Sequence, residues 1–147
     1  MTTKTATNDR DLHEKRLALD ALIKGRELIA DYRKWCVGAT ARNGRNKSVP
    51  SDSKHADSWC GYGAAARNAH NLSASITQGY FVSATAVALL DKEADKLGYK
   101  SVIAANDNTT PLIKTRETHA LILSLYDNAI DQAKKELCSQ SIHQPNG

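Results

Sequence analysis

Apolar residues recur at helical spacing over most of this chain. Ala18, Ala21, Leu22, Gly25, Leu28 and Ile29 stand at offsets 0, 3, 4, 7, 10 and 11, which is one face of an α-helix. That helix is expected to begin near Asp9, with Asn8 as its cap and Asp9 and Asp11 complementing the positive end of the helix dipole. Gly25 weakens the helix but sits on its apolar face, and is expected to mark close contact with a neighbouring element. A second stripe, Ala56, Trp59, Cys60, Gly63 and Ala64, predicts a helix after Pro50, capped by Ser51 or Ser53 and packed through small residues. A third helix is predicted from near Thr77 to Leu97, with Ala84, Val87, Leu90, Ala94 and Leu97 on one side and Gly98 as its stop. Asn71 to Gly79 reads either as a separate turn or as the start of that helix. The clearest pattern is the last, from about Thr115 to Cys138. Ile122, Leu125, Tyr126, Ala129, Ile130, Ala133 and Leu137 share one face, and Lys134 and Lys135 sit in the final turns, where the dipole favours them.

Two stretches break the helical pattern. Asn43-Gly44-Arg45-Asn46 is a turn, because Asn-Gly accepts the positive φ values that tight turns need. Its flanks, Trp35 to Thr40 and Lys47 to Val49, fit a short hairpin or a bent helical turn with a loop, and the hairpin is the preferred expectation. Asn106-Asp107-Asn108-Thr109-Thr110-Pro111 is dense in turn formers and is expected to be a loop. The expected architecture is mainly α: a compact four- to five-helix bundle-like single domain over residues 9–138, with one short β-hairpin near residues 35–49. Flexible tails are expected at 1–8 and 139–147.

Composition agrees with a packed domain. A hydrophobic fraction of 41% with 24% charged residues excludes a disordered chain, and 5% aromatics with abundant Ala and Leu suits helix packing. The first seven residues precede no apolar run, and nowhere do roughly 18 apolar residues follow one another, so neither a signal peptide nor a membrane span is expected. Cys36, Cys60 and Cys138 form an odd set without a Cys-x-x-Cys pair, which points to reduced thiols in a cytoplasm, in a cellular or a viral gene product alike.

The net charge of +4 is uneven. Residues 1–60 carry 12 Lys or Arg against 8 Asp or Glu, whereas 61–147 carry 8 of each. Arg33, Lys34, Arg42, Arg45 and Lys47 form a modest basic patch with no acidic residue among them, for which a solvated loop is the plainer role.

Several short motifs recur in one order. They are Trp35-Cys36-Val37-Gly38-Ala39-Thr40-Ala41-Arg42-Asn43, Ala56-Asp57-Ser58-Trp59-Cys60-Gly61-Tyr62-Gly63-Ala64, Asn106-Asp107, Thr118-His119-Ala120 and Asp127-Asn128-Ala129-Ile130. Over about residues 30–135 this order resembles a family of small uncharacterised proteins of bacteria and their phages. The family pattern runs W-x-x-G-A-x-A-R-(D/N), A-x-x-W-C-x-x-G-A, then N-D and T-H before a closing helix ending in D-x-A-I. The resemblance implies kinship of fold and a bacterial or phage setting, and no chemistry. The stretch Asn68 to Leu97 is longer than the pattern, which implies an added surface. The two Trp-Cys segments also resemble one another at a spacing of 24, too few units for a solenoid.

Candidate chemistry is sparse. Cys36, Cys60, His55 and His119 are the set that suggests a metal, but they lack the close ligand pairs of a structural zinc site, and buried cysteines acting as small hydrophobes are the plainer reading. Cys36 or Cys60 with His119 and Asp107 or Asn106 as orienter would make a nucleophile pair, yet no sharp turn or helix start presents either thiol in activated form. His119, near the start of the last helix, is expected to tether the Asn106-Asp107 loop, with an anion site at the helix start as the alternative. Trp35 and Trp59 are expected to anchor the core. In the functional alternative Trp35 is exposed beside Arg33, Lys34 and Arg42 as a platform for single-stranded nucleic acid or an acidic protein.

The expectation is therefore a non-enzymatic helical binding protein of the bacterial cytoplasm, host- or phage-encoded. It would act on a host or phage protein as an accessory or anti-defence factor, or serve as a minor structural component. The contact is placed on Arg33, Lys34, Trp35, Arg42, Arg45, Lys47 and Lys54 and on the stretch Asn68 to Tyr80, with Asn106, Asp107 and His119 tethering a loop. No cofactor, metal or membrane is expected. Nucleic-acid binding through residues 33–54 is the runner-up, and a small Cys/His-dependent enzyme the third possibility.

Overall fold

A computed structural model describes the backbone of residues 2–143 and the side chains of residues 9–139. Its elements are α1 (Thr2–Ile29), a 3-10 turn (Tyr32–Lys34), β1 (Ala41–Asn43), β2 (Ser48–Val49), β3 (Ala56–Trp59), α2 (Gly61–Leu72), α3 (Ile76–Lys96), α4 (Val102–Asn106) and α5 (Arg116–His143). The mainly α architecture, five helices with a small antiparallel sheet, is as expected. Both long outer helices outrun their apolar stripes: residues 2–8 and 139–143 are helical, and residues 1 and 144–147 of the expected tails lie outside the described residues.

The apolar stripes become the core. Ala18, Ala21, Leu22 and Ile29 of α1 meet Ile122, Leu125, Tyr126 and Ala129 of α5 in one buried cluster. The two helices run antiparallel: the Ile29 carbonyl meets His119 at one end, and Arg26, earlier in α1, pairs at 2.6 Å with Asp127, later in α5. Gly25 is the expected point of close contact, since a Cβ there would lie 3.0 Å from the Tyr126 ring and 3.3 Å from the Ala64 backbone. Helix α2, carrying Ala64, Ala65 and Ala69, thus packs near van der Waals contact with α1. Helix α3 covers the other side through Val82, Ala86, Leu90 and Ala94 and stops before Gly98, whose φ of +91° few other residues accept. Among the described residues, no helix is long and apolar enough to cross a membrane.

The expected hairpin forms, but its first strand lies beyond the expected flank Trp35–Thr40, at residues 41–43, whereas its second falls within Lys47–Val49. β1 pairs antiparallel with β2, Ala41 opposite Val49. In the turn the Asn43 side chain accepts the N–H groups of Arg45 and Lys47, and Asn46 takes the positive φ. The second predicted helix is corrected. Residues 56–59 form β3, which adds to the free edge of β1 with Ala41 opposite Trp59 and gives the sheet order β2-β1-β3. Ladder hydrogen bonds to β1 outweigh the helical spacing of Ala56 and Trp59, because a stripe of small residues carries little intrinsic helix energy. The helix begins only after Cys60, whose Sγ caps it by accepting the Gly63 N–H at 3.2 Å. Short α4 has no amphipathic signal. It is held by Ser101 as its cap and by the Asp91 carboxylate, which accepts the Val102 N–H at 2.8 Å.

The chain crosses itself most closely where β1 starts. A Cβ on Gly63 would lie 2.0 Å from the Thr40 carbonyl oxygen, a backbone atom that also accepts the Cys60 N–H. Gly63→Ala is therefore expected to destabilise the protein by about 2–3 kcal/mol and lower Tm by roughly 5–10 °C in a circular-dichroism melt. An unchanged melting curve would show that this crossing is not tight.

Candidate functional site

Sequence singled out Asn106, Asp107 and His119 as a loop tether, and the structure distributes that work differently. Asn106 is the last residue of α4 and is fully buried, not part of an exposed loop. Its Oδ1 accepts the Trp35 indole N–H at 2.7 Å and the Gly61 N–H at 3.0 Å. Its Nδ2 donates to the Cys36 carbonyl at 3.1 Å and to the Asp107 carboxylate at 2.9 Å. Asp107 accepts the Gly38 N–H at 3.0 Å, so the 35–38 segment is held by two adjacent residues. His119 holds neither: its Nε2 lies 2.7 Å from the Ile29 carbonyl and so donates to the end of α1. Its ring packs against Trp35 and edge-on to Tyr32, at centroid distances of 5.3 and 5.4 Å.

The basic segment is only partly free. Arg33 pairs with Asp31 at 2.8 Å, and Lys34 with Asp57 at 3.1 Å. Arg42 folds back on the Val37 and Asn46 carbonyls. Arg45, Lys47 and Lys54 are exposed. Trp35 is completely buried with its N–H satisfied by Asn106, so the exposed indole platform does not form. Two cations absent from the sequence expectation, Lys114 and Arg116, lie over the Tyr32 ring at 4.3 and 4.4 Å. Burial holds the Lys114 ammonium below its ordinary pKa.

The thiols are quiet. Burial pushes Cys36 up and Cys60 up to about 12, so neither is a thiolate near neutral pH. No group of three or more His, Cys, Asp or Glu side chains suited to a metal occurs among the described residues.

What sequence reasoning missed is a cleft of about 440 Å³ where the two segments proposed for contact come together. Ser51 and Asp52 form one wall, and Tyr62, His70, Ile76 and Tyr80 from α2 and α3 the other. The loop wall is pinned: the Ser51 carbonyl accepts both the Trp59 indole N–H and the Arg67 guanidinium, and Arg67 lies 4.9 Å over the Trp59 ring. His70 stands edge-on to Tyr80 at 5.0 Å. It fits only because residue 79 is glycine, since a Cβ there would lie 2.3 Å from its Nδ1. The Tyr62, His70 and Tyr80 side chains make no hydrogen bond among the described residues. Gly79 inside an apolar helix, nine positions after a histidine, is the one sequence signal that pointed here. No family model matches the chain, and neither does any curated protein or solved structure.

Two predictions follow from these buried groups. Asn106→Leu removes the partner of two donors and a carbonyl at once and is expected to cost about 4 kcal/mol in urea unfolding, against about 1 kcal/mol for the half-exposed Asp107→Ala. Equal losses would remove Asn106 from its central place. In the alkaline range, the unfolded chain releases the Cys60 proton near the ordinary 9.0, whereas the folded state holds it to about 12. The raised folded value means that this stability is complete below pH 9 and is lost as pH climbs towards 12. Cys60→Ser keeps a capping oxygen and is expected to flatten that alkaline fall; an identical profile would clear Cys60 of it.

Proposed function

We propose that this is a non-enzymatic binding protein that receives a segment of another protein in the cleft between the Ser51-Asp52 loop and helices α2 and α3. The observation that carries this reading is the exposed apolar start of α3. Ile76 and Tyr80 at the cleft rim are 75% and 66% exposed, far more than an isolated domain gains by burying so little of two large side chains. Tyr62 and Tyr80 add aromatic faces with polar tips, a side-chain type enriched among the residues that dominate protein-contact energy, His70 adds a further ring, and Asp52 supplies a carboxylate for a basic or hydrogen-bonding group. The wall opposite is rigidly held, so little ordering free energy is spent on binding.

The resemblance to small bacterial and phage proteins supports a bacterial cytoplasmic setting. There the occupant is a host or phage protein, and the role is that of an accessory or anti-defence factor or a minor structural component. Burial of the thiols in their neutral form weighs against a Cys-dependent enzyme. Nucleic acid is the second reading, favoured by the exposed Arg45, Lys47 and Lys54 and weakened by the pairing of Arg33 and Lys34 with carboxylates.

The test is affinity capture from a bacterial host lysate, with a reciprocal binding titration of the protein retained. Tyr80→Ala with His70→Ala is expected to weaken that binding by about tenfold or more while helicity is unchanged. Binding indifferent to the double substitution overturns the cleft. Capture of nucleic acid alone, with affinity falling steeply as salt rises, replaces it with the second reading.

A further inference from the structure

Helix α3 is apolar on two sides. Val82, Ala86 and Leu90 enter the core, and on the outer side Ile76, Tyr80, Ala84, Ala88 and Lys92 form a row at four-residue spacing, every one exposed. Rows at this spacing are the ridges through which helices pack on one another. Beside the row runs a groove of about 440 Å³. Its α3 side is Ala84, Ala88 and Leu89, and its α5 side Ala133 and Leu137. At its lip stands Phe81, 52% exposed. One face therefore carries both an aromatic knob and a hole floored by small side chains.

A foreign partner needs only one of these. A second copy related by a twofold axis needs both, because the axis sets the knob of each molecule into the hole of the other. The charges follow the same rule. Phe81 is bordered by Asp11 and Glu14 of α1, with Arg10 drawn to Glu14 at 3.4 Å. Lys92 lies at the far end of the row, roughly 16 Å along the helix. An antiparallel approach about an axis near Ala84 and Ala88 lays Lys92 of one copy towards the acidic Asp11 end of the other. Lys15 and Glu136, also on the groove, are of opposite sign, so Lys92, which lines it too, leaves the groove with a net positive charge.

We propose that the protein self-associates as a twofold dimer through this face, α3 against α3, with Phe81 of each copy seated in the groove of the other. Ile76 and Tyr80 border both surfaces, but Phe81, Ala84 and Lys92 do not line the cleft and His70 and Asp52 do not line the groove, so substitutions at these residues test the dimer and the cleft separately.

Sedimentation velocity of the full chain, from micromolar to submillimolar concentration, tests this. A monomer–dimer equilibrium is expected, with Phe81→Ala and Ala84→Arg each weakening it by about tenfold or more. Both side chains are exposed, and unchanged circular dichroism excludes misfolding as the cause. Lys92→Glu is expected to weaken the dimer, and the further change Asp11→Lys to restore it. A chain that stays monomeric throughout, or a dimer indifferent to Ala84→Arg, overturns the proposal.

Discussion

The structure is organised around one buried amide. Asn106 meets the Trp35 indole and the Cys36 carbonyl from one stretch of chain and the Gly61 N–H from another, and a side chain with two lone pairs and two N–H groups is needed to satisfy them together. In a low-dielectric interior an unmet partner is costly, so these segments are fixed relative to one another far more firmly than apolar packing alone would fix them. Trp35 then sets the end of α1, its backbone bridges to Trp59, and Gly61 sets the first turn of α2.

Close approach does the rest. Gly25 admits Tyr126 and Ala64, Gly63 admits the Thr40 carbonyl, and Gly79 admits His70. Each contact brings a polar or backbone group to a place that a methyl group would block. The cleft exists because of two of them: the Thr40–Gly63 crossing draws the sheet onto α2, and the His70–Gly79 contact draws α3 onto α2 while turning the imidazole towards Tyr80.

Helix α3 links the two surfaces. Its first turns border the cleft, and the continuation of the same outer row borders the apolar groove. Burying both would hide Ile76, Tyr80 and Phe81, three large side chains now in water, which is the free-energy argument behind the two proposals made for the outer side of α3.

The sequence by itself determined the three long helices. Their amphipathic stripes are strong enough that any compact state must bury them, and Gly98 and the Asn43–Asn46 turn are where local conformational preference alone decides the backbone. Tertiary structure decided what local preference left nearly balanced. Residues 56–59 became a strand because β1 offered an open edge, and Cys60 became the cap once they had. Asn106 sits in a run of turn-forming residues, and its place in the core depends on a tryptophan 71 positions away. Partners so distant leave no periodic trace in the chain, which is why the stripes could be read and the cleft could not.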